Sequence, residues 1–143
     1  MWWYYHLPII LLQILAFFPY IIGSRRFYQG KNGFMLLLSI GVLLDIIMTI
    51  TPFVVELPRM SLEQTAPWTS FLFIVHIASA GFAMFYFIWM LIFINVKGPS
   101  YNYNILRVFQ YKVVLKLWIL GVSIALLNFF IKVIFQIRIY DYF

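Results

Sequence analysis

The sequence predicts an all-α integral membrane protein built as a bundle of four transmembrane helices. Three observations predict it. Of the 143 residues, 65% are hydrophobic and only 10% are charged, with a mean hydropathy of +0.98, whereas a soluble domain carries about 25% charged residues to keep its surface wet. The apolar residues gather into four runs, each near the roughly 20 residues that a helix needs to cross a bilayer. Those runs do not alternate in segments of about ten residues, as the strands of a membrane barrel would. Ten Lys/Arg and four Asp/Glu cannot cover a water-facing globule, so a soluble enzyme is excluded. The absence of cysteine excludes disulfide scaffolds, thiolate metal sites and iron–sulfur clusters.

The chain has room for a single membrane domain, residues 1–143, with helices expected over about 4–22, 34–55, 68–96 and 113–137. The first run ends at a polar connection, residues 24–33 (SRRFYQGKNG), rich in Gly, Asn and Arg. The second ends at residues 56–67 (ELPRMSLEQTAP), where prolines stand near both ends of a stretch that suits a short surface helix. The third run is long enough to span with tilt. It closes at residues 97–112 (KGPSYNYNILRVFQYK), which open with a Gly-Pro breaker and within which Tyr101–Tyr111 reads as an amphipathic surface segment. The start of the chain lacks the basic region and cleavage site of a signal peptide, so the first helix is expected to be retained.

Charge sets the expected orientation. Arg25, Arg26 and Lys31 flank the first connection, and Lys97, Arg107, Lys112 and Lys116 lie in or beside the third. Arg59, Arg138 and Lys132 are the basic residues of the opposite side. The positive-inside rule then puts the first and third connections in the cytoplasm or matrix, with both termini on the outer, periplasmic or intermembrane-space side. The net charge of +6 reads as membrane sidedness and not as a nucleic-acid footprint. Arg25, Arg26 and Arg107 are candidates for lipid headgroup contact. Trp2, Trp3, Tyr4 and Tyr5, with Trp68, Tyr140 and Tyr142, suit an interfacial aromatic belt.

Each run carries one smaller or more polar stripe at helical spacing. The stripes are His6, Ile10, Gln13 and Phe17; Gly41, Asp45 and Thr49; His76, Ser79, Ala80 and Ala83; and Gly121, Ala125, Asn128 and Lys132. Four such stripes predict a shared interior seam in which small residues admit close approach and polar groups avoid lipid. Gln13, Asp45, Asn128 and Lys132 are its candidate buried polar members. From the helical rise of about 1.5 Å per residue, Asp45, His76 and Lys132 fall at similar distances from the outer ends of their helices. An ionisable group inside a membrane costs at least about 2.5 kcal/mol at a helix centre, so Asp45 and Lys132 are expected to pair across helices two and four.

His6 and His76 are the only imidazoles, and two histidines on different helices are a candidate axial pair for a b-type haem. The small residues Ser79, Ala80, Gly81 and Ala83 would then leave room for the macrocycle. In size and helix count the chain is similar to the small four-helix subunits and haem-b anchors of respiratory complexes, although the second histidine pair of two-haem cytochromes is missing. No nucleotide loop, no His-Glu-x-x-His pair and no nucleophile beside a His and a carboxylate occur, so no catalytic residue and no metal site are assigned.

The expected role is therefore an accessory or structural subunit of a larger multi-subunit membrane enzyme complex, respiratory or oxidative in kind. It would pack against other integral membrane subunits and bind membrane lipids, in a bacterial or archaeal plasma membrane or the mitochondrial inner membrane. The alternatives are a mono-haem b protein with His6/His76 ligation and a homodimeric transporter using Asp45/Lys132.

Overall fold

The computed structural model describes residues 3–55 and 71–135. Helix α1 spans Trp3–Tyr28, α2 Phe34–Val55, α3 Phe71–Lys97, α4 Asn104–Phe109 and α5 Leu115–Phe135. A π-helical turn, Gln110–Val114, joins α4 to α5 so that they form one continuous rod. The described residues hold no strand. Four helical stretches, Leu7–Tyr28, Phe34–Thr51, Phe71–Lys97 and Asn104–Phe135, are long and apolar enough to cross a membrane. In hydrocarbon an apolar chain must satisfy its backbone within each segment, which a helix does. Even Pro19, inside α1, removes one donor without ending the helix.

Two boundaries differ from the sequence expectation. Helix α1 runs on through Ser24, Arg25 and Arg26 to Tyr28, so the turn is confined to residues 29–33. Arginines in a last turn face the helix's carbonyl end and lift their heads out of apolar surroundings, so they extend a helix where they seemed to end it. The stop comes from Gly30, at φ +69°, a left-handed conformation that L side chains avoid. Its Cα also lies against Arg107, whose Nη1 would stand 3.2 Å from an added Cβ.

The second difference concerns residues 97–112, whose second half is helical and continuous with α5. Only residues 98–103 are non-helical, and Arg107, Tyr111 and Lys112 belong to the rod. Gly98, at φ +73°, closes α3 by donating a hydrogen bond from its N–H to the Ile94 carbonyl at 3.0 Å. The Tyr103 hydroxyl donates to the Gly98 carbonyl at 2.6 Å and the Ile94 carbonyl at 3.3 Å. These contacts satisfy carbonyls that a helix end leaves without partners. The connection at 56–67, the ends of the aromatic belt and the outermost residues of the third and fourth predicted spans lie outside the described residues.

Contacts along the chain make every sequence neighbour antiparallel. Gly23 faces Leu38 and Gly41 faces the Tyr20 ring in the α1/α2 hairpin; Tyr86 meets Phe109 of α4 and His76 meets Gly121 of α5 where α3 packs on the rod. Helices α1 and α5 run antiparallel too, joined by Tyr28–Tyr111 at one end and Tyr20–Trp118 further in. The first residues of α1 and the last of α5 consequently share one end of the bundle. Arg25, Arg26, Lys31, Lys97, Arg107 and Lys112 gather at the other. The core runs along the axis through Ala16, Tyr20, Phe27, Leu38, Val42, Met48, Ala83, Phe87, Met90, Val114, Trp118 and Val122.

Candidate functional site

Three polar layers stack along the inside of the bundle, and the middle one is built on Asp45. Its carboxylate sits near the centre of α2 and is 8% exposed. Oδ2 accepts a hydrogen bond from the Tyr20 hydroxyl of α1 at 2.8 Å and another from Trp118 Nε1 of α5 at 2.8 Å. Tyr20 and Trp118 are fully buried, and their rings pack 4.4 Å apart. Phe87 of α3 lies 4.6 Å from the Tyr20 ring, and Phe17 lies 5.0 Å from Trp118, edge to face. Gly41, one turn before Asp45, makes this possible, because an added Cβ would stand 3.1 Å from the Tyr20 ring. All four long helices thus contribute to one closed node: a buried acceptor, two aromatic donors and an aromatic wall. Each donor buries its ring while its polar handle finds a partner.

The layer toward the start of α1 and the end of α5 joins α3 to α5. His76 Nδ1 is 2.7 Å from the Gly121 carbonyl; since a carbonyl only accepts, Nδ1 carries the proton. Gly121 is buried against α3, and an added Cβ would stand 2.7 Å from Ser79 Oγ and 2.8 Å from the Ala80 backbone nitrogen. Ser79 turns its hydroxyl back to the Val75 carbonyl at 2.6 Å. The small residues beside His76 therefore bring two helices into contact instead of leaving a slot for a macrocycle. The side chain of His6, the other candidate axial ligand, lies outside the described ones. No group of three or more metal-ligating side chains occurs among the described residues.

The layer nearest the basic end lies at the π turn. Gln110, its first residue, is fully buried and donates from Nε2 to Ser24 Oγ of α1 at 2.5 Å. Arg107, one turn earlier, places its guanidinium 5.7 Å from the centre of the Phe27 ring. Its Nε and the Gln110 Oε1 are buried without a protein partner. Arg107 thus points inward beneath the α1–α2 turn, apart from the exposed Arg25 and Arg26.

The predicted seam residues fall unevenly around these layers. Asp45 is at the centre, but not opposite Lys132. Position 132 stands nearly four turns beyond Trp118 along α5, about 21 Å at the helical rise, much further than a lysine side chain reaches. Matching distances from helix ends did not give matching levels, because the level of each helix is set by the side chains that meet across the bundle, here Asp45 and Trp118. The Lys132 side chain itself lies outside the described ones. Gln13 and Asn128 are half-buried, on the far side of the Asp45 layer. Tyr20, Trp118, Ser24 and Gln110 were not singled out from the sequence. A signal for two of them was present: Tyr20 continues the α1 stripe one step beyond Phe17, and Trp118 precedes Gly121 by one step on the α5 stripe. An aromatic residue with a polar handle in mid-span, away from the interfaces where such residues collect, marks a donor in need of an acceptor.

No family model, curated protein or solved structure matches this chain.

Proposed function

We propose that the protein is an accessory subunit of a larger multi-subunit membrane enzyme complex, where it packs against other integral subunits. The observation that carries this reading is the closed Asp45 node. The one acidic side chain among the described residues is engaged by Tyr20 and Trp118 and walled by Phe17 and Phe87. The polar chemistry of the interior holds helices together, and the surface left over is apolar and aromatic. That surface has a pronounced ridge on α3. Phe82, Phe85 and Trp89 stand 49, 68 and 49% exposed, and Phe82–Tyr86, Tyr86–Trp89 and Trp89–Phe93 continue as ring contacts at 5.1–6.2 Å. Rigid aromatic side chains presented together are the residues that anchor protein interfaces. In this reading the basic end faces the cytoplasm or matrix, and the complex is respiratory or oxidative.

The test is native mass spectrometry of the protein extracted from its own membrane in a mild detergent. The expected result is a heteromeric assembly that loses this subunit when Phe85 and Trp89 are both changed to Ala, with the variant still inserted and helical. A bare chain in the native extract would overturn the reading.

A further inference from the structure

A second feature lies at the basic end, outside the packed layers. Arg25, Arg26, Gln29 and Lys31 line a recess of about 300 Å³ with Ile21 and Ile22. Both arginines stand in the last turn of α1, at the end of the stretch able to cross a membrane. Ile21 and Ile22 lie a turn deeper and are 41 and 45% exposed. The recess is therefore cationic at headgroup level and aliphatic just below it. Arg26 is held over the α1–α2 turn by a bond from Nη1 to the Asn32 carbonyl at 3.3 Å. An added Cβ on Gly33 would come within 3.0 Å of the same nitrogen. No acid serves these cations: Asp45, the sole acidic residue among the described ones, is buried in mid-bundle with its own donors. Arg107, at the same end, is turned toward Phe27 and Gly30 and is not part of the recess.

We infer that this recess binds the phosphate of an anionic phospholipid, with Arg25, Arg26 and Lys31 on the phosphate and Ile21 and Ile22 against the start of an acyl chain. A guanidinium presents its donors as a planar fork that matches phosphate oxygens two at a time. Three cations against a phosphodiester give the charge preference over a zwitterionic lipid, and the aliphatic floor gives the preference over a soluble phosphate. The inference is independent of the subunit reading, since a lone chain in a bilayer would hold the lipid equally well.

The experiment is native mass spectrometry of the purified chain in mild detergent, doped with equal amounts of phosphatidylglycerol and phosphatidylcholine. One phosphatidylglycerol is expected to be retained selectively. Its retention should fall roughly 10- to 30-fold in the Arg25→Gln/Arg26→Gln variant, given the usual contribution of each basic residue. The Arg25→Lys/Arg26→Lys variant, which keeps the charge and loses the fork, should fall between the two. Lys97→Gln/Lys112→Gln, which removes the same charge from the same end outside the recess, should leave retention unchanged. An equal fall in that control would overturn the site, because the summed field of the basic end would then suffice. Displacement of the lipid by excess inorganic phosphate would overturn the lipid assignment in favour of a soluble anion. Circular dichroism checks that each variant keeps its helix content. A bare chain in the native membrane extract that still retains the lipid would strike the subunit reading alone.

Discussion

At the scale of single residues, Asp45 determines how the interior must be read. Two donors from different helices converge on one oxygen, so the cost of a substitution depends on which groups it leaves without partners. Asp45→Asn keeps a carbonyl-type oxygen at that point and is expected to cost less than about 1 kcal/mol. Asp45→Leu strands both the Tyr20 hydroxyl and the Trp118 indole, and is expected to cost roughly 2–4 kcal/mol. Tyr20→Phe removes one bond and should lie between them, near 1 kcal/mol, the range measured for interhelical bonds in membranes. SDS titration in mixed micelles, read by circular dichroism, ranks the three. The same assay decides the Asp45–Lys132 relation: with about 21 Å of helix between position 132 and the node, Asp45→Asn and Lys132→Met should add within about 0.5 kcal/mol. A coupling well above that would bring Lys132 back to the carboxylate. The Ser24–Gln110 contact follows parallel logic. Ser24→Ala leaves a buried amide donor without its acceptor and should cost roughly 1–2 kcal/mol. Ser24→Ala combined with Gln110→Leu replaces both partners by apolar groups and should recover most of that loss.

At the scale of elements, the arrangement depends on where helices are allowed to touch. Gly121 is the tightest contact, because the neighbouring Ala80 nitrogen is backbone and cannot move aside. Gly121→Val should push α3 and α5 apart and cost roughly 2–3 kcal/mol or more, in the range of overpacked cores. Gly81→Val, where nothing lies within 4 Å of the added Cβ, is the matched control and should be tolerated. Comparing the two midpoints in SDS tests whether the α3/α5 contact is as close as the geometry states. The π turn serves a related purpose. One wide turn spans Gln110–Val114, and its first and last residues are both buried, as is Trp118 one turn further along the rod. Wide turns of this kind recur where a helix must re-aim side chains.

At the scale of the whole molecule, the antiparallel order brings Arg25, Arg26, Lys31, Lys97, Arg107 and Lys112 to one end. The positive-inside rule then makes a directional prediction. A single cysteine introduced at Ser100, in the 98–103 turn, should be labelled by a membrane-impermeant maleimide only after the membrane is opened. A cysteine at Gln29, on the same end, should behave identically. Labelling of either from the outside of intact cells or organelles would reverse the orientation.

Much of this protein is legible in its sequence. The number of helices, their approximate spans and the gathering of charge at one end follow from apolar run length and from the positions of Arg and Lys. The inward faces of α3 and α5 were visible as small-residue stripes, and Asp45 was conspicuous as an acid in mid-span. These are local properties, written in spacing along one helix. Which residues meet Asp45 is not local. It depends on the axial level of each helix against its neighbours, and that level is set by Gly30 delaying the end of α1, by Gly98 and Tyr103 closing α3, by the helix starting early at Asn104, and by the extra residue of the π turn. Together they fix which side chain meets the carboxylate, and it is Trp118, not Lys132. Run length and periodicity thus determined the elements and their inward faces, whereas the level at which those faces meet was decided by caps and close packing, which exist only once the helices are together.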